Sequence, residues 1–341
     1  MIAATLAGIA LIAVTGADLL ITVLHPSRSG ALSRVVIGAT WRLARTVASW
    51  PRAHAVFGYV GPVMMLAQLV TWVVGLWVGF AVIYASHLDQ IVSSPQLRTN
   101  GQGLLDAFYL SGVALTTVGF GDVVAGTAAL RLVTVAEGAT GLAVFGAGIA
   151  YLLAVYPLVS QIRVTARQLA AIGDYRGAAE LIVHGGNSRL EALQRDLIQL
   201  DESTQRFPVL YYFHAEDPRA SLTTAIRAAS LVMMQLRFGL STHVVPHARW
   251  HGRVLEATLT RVLDRFQQRY HHPASVDREE RLLSEADVNG RIGELRRAAA
   301  QVTGTTSGEE PDREAFSSLV VRSNTLLAEL ERRHLYPYQP L

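Results

Sequence analysis

Three long apolar stretches constrain this chain more than any other feature of its sequence. They cover Ile2–Leu24, Ala55–Ser86 and Thr127–Pro157, and each is longer than the roughly 20 helical residues that cross a hydrocarbon core about 30 Å thick. Of all 341 residues, 50% are apolar and 17% are charged, whereas an ordinary soluble domain carries about 25% charged residues. The sequence therefore predicts an all-α membrane protein with three transmembrane helices.

The charges between these stretches predict an orientation. The linker after the first stretch holds no acidic residue and five arginines, namely Arg28, Arg34, Arg42, Arg45 and Arg52, whereas residues 87–103 hold only Asp89 and Arg98 as charged residues. Arginine-rich loops stay on the cytoplasmic side. We predict a multi-pass protein of the cell (inner) membrane with its N-terminus outside and its C-terminal half in the cytoplasm. The first stretch lacks preceding basic residues and a cleavage site, so we expect it to be retained.

The basic linker has the pattern of an amphipathic helix. Its arginines alternate with apolar residues over Ala31–Trp50, which is typical of a helix that lies in the headgroup layer. Trp41 and Trp50 are expected to be its interfacial anchors. The alternative, a fourth weak crossing, is opposed by the arginines.

A shorter apolar segment, Leu104–Leu115, follows the second stretch. Its 12 residues would form a helix of about 18 Å, too short to cross the bilayer. The segment is therefore predicted to enter the membrane and turn back. Because non-helical backbone at membrane depth occurs only where it is buried or lines a watery path, the following residues Thr116–Asp122 are expected to face a pore.

The residue types of this turn suit the binding of a dehydrated cation. Rings of backbone carbonyls can replace the water shell of such an ion, and Gly119 and Gly121 permit the positive φ angles that direct successive carbonyls to one side. Thr117 adds a hydroxyl, while Val118 and Phe120 are expected to point away from the ion. A ring of ligands around one ion requires four copies of the segment, which predicts a homotetramer.

The sequence Leu-Thr-Thr-Val-Gly-Phe-Gly-Asp over residues 115–122 resembles the selectivity filter of the potassium channel superfamily. The resemblance covers roughly residues 55–157 and implies K+ coordination by Thr117, Val118, Gly119, Phe120 and Gly121. Arg131 and Gly141 match an arginine at the start of the inner helix and a hinge glycine, so the resemblance implies a gating hinge at Gly141. The chain departs from the family where Ala114 replaces the usual Thr and Phe120 replaces the commoner Tyr.

Two acidic residues lie inside the apolar stretches. Asp18 forms either a polar stripe with Thr22 and His25 or a carboxylate that is solvated or capped by the linker arginines. Glu137 either lines the ion cavity or lies behind the filter, bonded to Ser111 or Thr116. Because charged residues in lipid are costly and usually functional, we treat Glu137 as filter support together with Thr116 and Asp122.

The composition changes after residue 160. Charged residues appear and apolar residues follow helical spacing, which predicts helices at about 188–204, 219–238, 248–270, 283–302 and 313–335. The segment 207–213 is the one stretch with strand-like alternation, an aromatic patch that would equally plug a tetramer interface. We predict three regions: a transmembrane helix with its basic linker (1–54), a pore domain (55–160) and a cytosolic helical assembly or regulatory domain (161–341).

These patterns together predict a potassium channel subunit and exclude several other functions. The chain has no cysteine and a net charge of +3, which removes Cys-ligated metals and gives no support for nucleic-acid binding. We find no nucleophile with its base and no phosphate loop, so we expect neither an enzyme nor a cofactor, with K+ as the permeant ion. His247 and His251 have metal-ligand spacing but are more typical of a solvated helix face. Membrane lipids are expected partners, a cytosolic ligand is unknown, and the alternatives are a non-selective cation channel or a sensor with a vestigial pore.

Overall fold

A computed structural model gives the fold, and it describes residues 1–25, 28–48, 57–93, 103–241, 243, 245, 248–270, 284–305 and 311–334. The predicted fold class is confirmed. Ile2–Leu24, Phe57–Ala85 and Ala128–Ala170 are each long and apolar enough to cross a membrane, and the rest of the described chain is mainly helical. Internal contacts divide the chain into a membrane unit, Met1–Pro157 with Gln205–Phe213, and a helical unit, Leu158–Thr204 with His214–Leu341.

In the membrane unit, helix α1 (Ile2–Leu24) packs along helix α3 (Val60–Ala85). Small residues bring the two backbones close together. A Cβ atom added at Gly8 would lie 2.6 Å from the carbonyl oxygen of Gly79, and one added at Gly75 would lie 2.6 Å from Oγ1 of Thr15. Close approach through small residues is the usual way in which membrane helices pack.

Helix α2 (Ala31–Ala48) follows the first helix. Its exposed side carries Val35, Leu43 and Val47. The structure contradicts the expectation that Trp41 anchors this helix in the headgroups. Trp41 is only 9% exposed, and its ring contacts the rings of Phe57 and Tyr212 at centroid distances of 5.7 and 5.1 Å. The amphipathic pattern predicted the helix but not which of its apolar residues face protein. Trp50 lies outside the described residues.

Helix α4 (Leu104–Leu115) contacts α3. Strand β1 (Ile91–Ser93), before this helix, pairs in antiparallel fashion with strand β2 (Val123–Ala125), with Ile91 opposite Ala125. This small sheet joins the chain that follows α3 to the chain that follows Asp122. Helix α5 (Ala128–Ala170) then begins.

The helical unit confirms most of the predicted helices. Helices α7 (Leu222–Met234), α8 (Ala248–Tyr270), α9 (Glu285–Thr303) and α10 (Arg313–His334) lie close to their predicted positions. Helix α6 (Tyr175–Arg206) starts 13 residues before residue 188, so its predicted start was wrong. The reason is Gly186, which has φ of 63° and interrupts a helix that begins earlier.

The aromatic segment Phe207–Phe213 is not a strand. Residues Pro208–Tyr212 form a 3-10 helix, because Pro208 fixes its own φ and lacks the N–H that a strand would use. Phe207 and Tyr211 are 7% and 2% exposed, and the segment belongs to the contacts of the membrane unit. The alternation of side chains therefore indicated the wrong backbone conformation.

Candidate functional site

The residues after α4 turn back along the end of that helix. The backbone N–H groups of Thr117 and Val118 donate to the carbonyl oxygens of Ala114 and Val113, both at 3.0 Å, and the N–H of Gly119 lies 3.4 Å from the carbonyl oxygen of Val113. The N–H side of the turn is thereby tied to the helix. The carboxyl end of α4, with its partial negative charge, lies directly behind the turn.

The backbone of this turn alternates in handedness. Thr117, Gly119 and Gly121 have φ angles of 59°, 61° and 80°, whereas Val118 and Phe120 keep negative φ. A positive φ at Thr117 is unusual, because a residue with a Cβ atom rarely adopts this conformation. In an extended strand, successive carbonyl groups point to opposite sides. When left-handed and right-handed residues alternate, successive carbonyl groups can instead point to the same side.

The side chains between the three left-handed residues lie on the surface of the chain. Val118 and Phe120 are 53% and 71% exposed. Both line an apolar groove whose other wall is formed by α4 and by Trp77 of α3. Trp77 also holds the two helices together, since its Nε1 donates to the carbonyl oxygen of Phe108 at 2.8 Å.

Asp122 ends the turn and is hydrogen-bonded on both sides. The hydroxyl of Tyr109 in α4 donates to its Oδ2 at 2.7 Å, and the N–H of Val123 lies 3.0 Å from its Oδ1. The hydrogen bond from Tyr109 is the main cause that lowers the pKa of Asp122 below its ordinary value. The end of the turn is therefore attached to α4 and to strand β2.

Glu137 lies behind the turn and joins three helices. Its side chain is completely buried. Oε1 lies 2.5 Å from Oγ of Ser111 in α4, and the hydroxyl of Tyr84 in α3 donates to Oε2 at 2.7 Å. Glu137 therefore has the hydrogen bond to Ser111 that one of the two predicted placements includes, and its role as filter support stays a prediction.

The remaining predicted residues of this region have other contacts. Oγ1 of Thr116 donates to the carbonyl oxygen of Gly112 within its own helix at 2.7 Å, so Thr116 is not the partner of Glu137. Gly141 is buried, and a Cβ atom added there would collide with the carbonyl group of Leu115. The structure thus gives Gly141 a packing role at the end of α4, while its role as a hinge stays a prediction.

Asp18 forms a second polar centre, away from the turn. It is 4% exposed and caps helix α2, because the N–H groups of Leu32 and Ser33 donate to its carboxylate at 2.8 and 3.2 Å. Nε1 of Trp72 in α3 also donates to it, at 3.0 Å. A carboxylate at a helix N-terminus is stabilised by the unpaired N–H groups and the helix dipole. Thr22 joins this polar centre through Ser33, since Oγ1 of Thr22 lies 2.8 Å from Oγ of Ser33, which itself donates to the carboxylate of Asp18.

Within the part of the chain that the structure describes, no group of three His, Cys, Asp or Glu side chains has the arrangement of a metal site. Nδ1 of His251 lies 2.9 Å from Nε2 of Gln194. His247 lies outside the described residues, so the predicted pair with His251 is not tested. A permeant ion held by backbone oxygens does not require such a cluster.

Sequence reasoning missed the aromatic partners of these polar groups. Tyr84, Tyr109 and Trp72 each donate a hydrogen bond to a buried or loop carboxylate. The polar atoms of these side chains could have indicated such contacts, because a buried Tyr or Trp usually has a hydrogen-bond partner. Spacing along the chain could not assign the pairs, since Tyr84 and Glu137 are 53 residues apart.

Three helices that are long and apolar enough to cross a membrane indicate a membrane protein. Comparison with known families agrees, because residues 68–156 match the family model described as "Ion channel". This match indicates an ion channel, and it includes the turn, Glu137 and Gly141. The chain is also 24% identical, over 84% of its length and 84% of the relative's, to the uncharacterized membrane protein YdjJ of Bacillus subtilis (strain 168). No solved structure matches the chain.

Proposed function

We propose that the chain is one subunit of a homotetrameric, potassium-selective channel through which K+ passes down its gradient. The observation that carries the proposal is the alternation of φ at Thr117, Gly119 and Gly121. Because the N–H groups of Thr117, Val118 and Gly119 are directed at α4, we expect the carbonyl oxygens of the turn to be available on the opposite side. Oxygens arranged in this way replace the water of a dehydrated alkali cation.

In this proposal, each residue of the turn has a defined part. K+ is coordinated by oxygens of Thr117, Val118, Gly119 and Phe120, and Gly121 ends the filter. Thr116, Asp122 and Glu137 support the filter from behind, and Gly141 permits α5 to bend when the channel gates. The chemistry requires no cofactor and no catalytic residue, and membrane lipids surround the apolar helices.

The tetramer follows from the need for a closed ring of ligands. One chain contributes one turn, and an ion path needs oxygens on every side of the ion. The exposed Val118 and Phe120 support this assembly, because large apolar side chains beside an ion path would otherwise face lipid or water. We propose that the apolar groove beside them is covered by a second copy of the chain.

The arginine-rich linker supports a defined orientation of this channel. With that linker in the cytoplasm, the N-terminus of α1 and the end of the filter at Asp122 face outward. The helical unit then lies in the cytoplasm, where it assembles the tetramer or controls its gate. The membrane in which the protein resides is the cell membrane.

The test is K+ flux from liposomes that contain the full-length protein, with the reversal potential measured in mixed K+ and Na+. We expect a reversal potential close to that of K+. Gly119→Ala should abolish the flux, since a Cβ atom is strained at φ of 61°. Gly146→Ala is the matched control, because a Cβ atom there meets nothing within 4 Å, and it should leave the flux unchanged.

Other results would select the alternative functions. With K+ on one side of the membrane and Na+ at the same concentration on the other, a reversal potential near zero would indicate a non-selective cation channel. Absence of flux under every condition of pH, voltage and Ca2+ would favour a sensor whose pore is a relic. A dimeric stoichiometry of the purified protein would contradict the shared ion path.

A further inference from the structure

The aromatic segment Phe207–Phe213 occupies an unusual position in the chain. Together with Gln205 and Arg206 it belongs to the contacts of the membrane unit, yet the chain before and after it, Leu158–Thr204 and His214–Leu341, belongs to the helical unit. Val209, Leu210 and Tyr211 are each less than 5% exposed. A short piece of the C-terminal half is therefore buried among the membrane helices.

Three rings of the segment contact two helices of the membrane unit, α2 and α5. Tyr212 contacts Trp41 of α2 at a centroid distance of 5.1 Å. Phe207 contacts Tyr151 of α5 at 5.8 Å, and Phe213 contacts Tyr156 of α5 at 6.1 Å, both edge to face. Edge-to-face pairs of this kind add specific attraction to the burial of apolar area.

Phe213 also lies directly on the start of α3. A Cβ atom added at Gly61 would be 2.7 Å from Cγ of the Phe213 ring. The absence of a side chain at Gly61 therefore makes the room in which the ring sits. This ring touches α3 on one side and α5 on the other, so its position depends on both helices.

The two contacts on α5 lie beyond Gly141. Tyr151 and Tyr156 are 10 and 15 residues after this glycine, or roughly 15 and 22 Å along a helix. Pro157, inside the same helix, lacks the N–H that would donate to the carbonyl of residue 153. The segment thus contacts residues 151–156, the distal part of the apolar stretch of α5. Movement of this part would open or close the proposed ion path.

We propose that Phe207–Phe213 is a coupling segment, which transmits the conformation of the helical unit to the distal part of α5 and so controls conduction. Because both ends of the segment continue into the helical unit, a rearrangement there displaces the rings of Phe207 and Phe213 relative to α5. The inference rests on the proposed channel function and adds its regulation. It requires no contact other than those of the segment itself.

The natural absence of cysteine permits a reversible test in the full-length protein. In Gly61→Cys/Phe213→Cys, the ring that would clash with the new Cβ atom is removed, and the two sulfur atoms replace a contact that is already close. Oxidation should fix the segment to α3, and a reductant should release it. The matched control is Gly61→Ser/Phe213→Ser, which has nearly the same volume and forms no crosslink.

We expect K+ flux of the double-cysteine protein in liposomes to change at least about fivefold on reduction, within the usual range of coupling between sites. The serine control should not respond to the reductant. If the disulfide forms and the flux is the same before and after reduction, the segment does not control conduction. If the wild-type protein conducts no K+ at all, the proposed channel function fails first and the coupling proposal fails with it.

A second pair of variants tests the contact on α5 without a crosslink. Tyr156→Leu removes the ring that Phe213 contacts and should change the flux several-fold, whereas Tyr156→Phe keeps the ring and should conduct like the wild type. Leu153→Ala, at a position that is 70% exposed on the same helix, should have no effect. Equal flux in Tyr156→Leu and wild type would overturn the proposal.

Discussion

The hydrogen-bonded bridge that Glu137 forms between α3, α4 and α5 gives the sharpest prediction about how the turn Thr116–Asp122 is held in place. Its carboxyl group connects α5 to Ser111 in α4 and to Tyr84 in α3. Glu137→Ala removes both hydrogen bonds. Glu137→Gln keeps an oxygen that can accept from Tyr84 and an amide that can donate to Ser111, so the bridge can persist.

The cost of losing the bridge follows from the partners that remain. Oγ of Ser111 still lies 2.9 Å from the carbonyl oxygen of Trp77, and the hydroxyl of Tyr84 lies 3.0 Å from Oγ1 of Thr134. Neither hydroxyl is left without a partner, so the loss is the net contribution of two hydrogen bonds, about 1–3 kcal/mol in total. The space vacated by the carboxyl group adds to this cost. A loss of 1–3 kcal/mol corresponds to about a fivefold to 140-fold shift in an equilibrium.

The assay combines thermal unfolding of the solubilised protein with the ratio of K+ to Na+ flux in liposomes. We expect Glu137→Ala to lower the unfolding temperature and the flux ratio, and Glu137→Gln to remain close to the wild type. Leu142→Ala, at a position that is 68% exposed on the same helix, is the control for truncation alone. Wild-type behaviour of Glu137→Ala would refute the bridge, and equal damage by Gln and Ala would show that the charge matters instead.

Two further predictions concern carboxylates outside the spanning segments. Burial raises the pKa of Asp201, and the ion pair with Arg265 opposes this increase. As the pH falls, the native state therefore binds a proton at Asp201 before the unfolded chain does. The stability that this group contributes is lost as the pH rises through the raised pKa. Arg265→Gln should raise this pKa further and destabilise the protein by about 1–3 kcal/mol near neutral pH, because a largely buried carboxylate loses its partner. The deficit should shrink on acidification, and a pH-independent deficit in denaturant titrations would contradict this reasoning. Tyr109→Phe removes the hydrogen bond that lowers the pKa of Asp122, so acid inhibition of K+ flux should move to higher pH, and an unchanged pH profile would show that Asp122 does not influence conduction.

Local features of the structure could be predicted from the sequence because neighbouring residues decide them. Helix α4 has the 12 residues that its apolar pattern predicts, and the positive φ angles at Gly119 and Gly121 follow from the conformational freedom of glycine. The positive φ of Thr117 does not follow in this way. It depends on the hydrogen bonds that tie this part of the backbone to the end of α4.

Long-range pairs could not be predicted, because apolar helices give no register relative to one another. For Asp18 the sequence predicts either a polar stripe or a carboxylate that is solvated or capped by arginines. Its hydrogen-bond donors in the structure include the N–H of Leu32 at the start of α2 and Nε1 of Trp72, which is 54 residues away. The sequence predicts Trp41 at the membrane interface. In the structure its ring contacts Tyr212, which comes from the C-terminal half of the chain. Only the folded arrangement brings these partners together.

These contacts also separate two explanations for the glycine at position 141. A hinge would require glycine at position 141 for its flexibility. In the structure glycine is required there because a Cβ atom would overlap the carbonyl group of Leu115. Leu115 ends the helix whose carbonyls at Val113 and Ala114 accept hydrogen bonds from three N–H groups of the turn, at residues 117–119. A larger residue at 141 would therefore displace the support of the turn as well as stiffen α5. Loss of conduction in such a variant could not by itself demonstrate a hinge, and altered selectivity would identify the packing role, because a hinge controls opening without changing the oxygens that surround the ion.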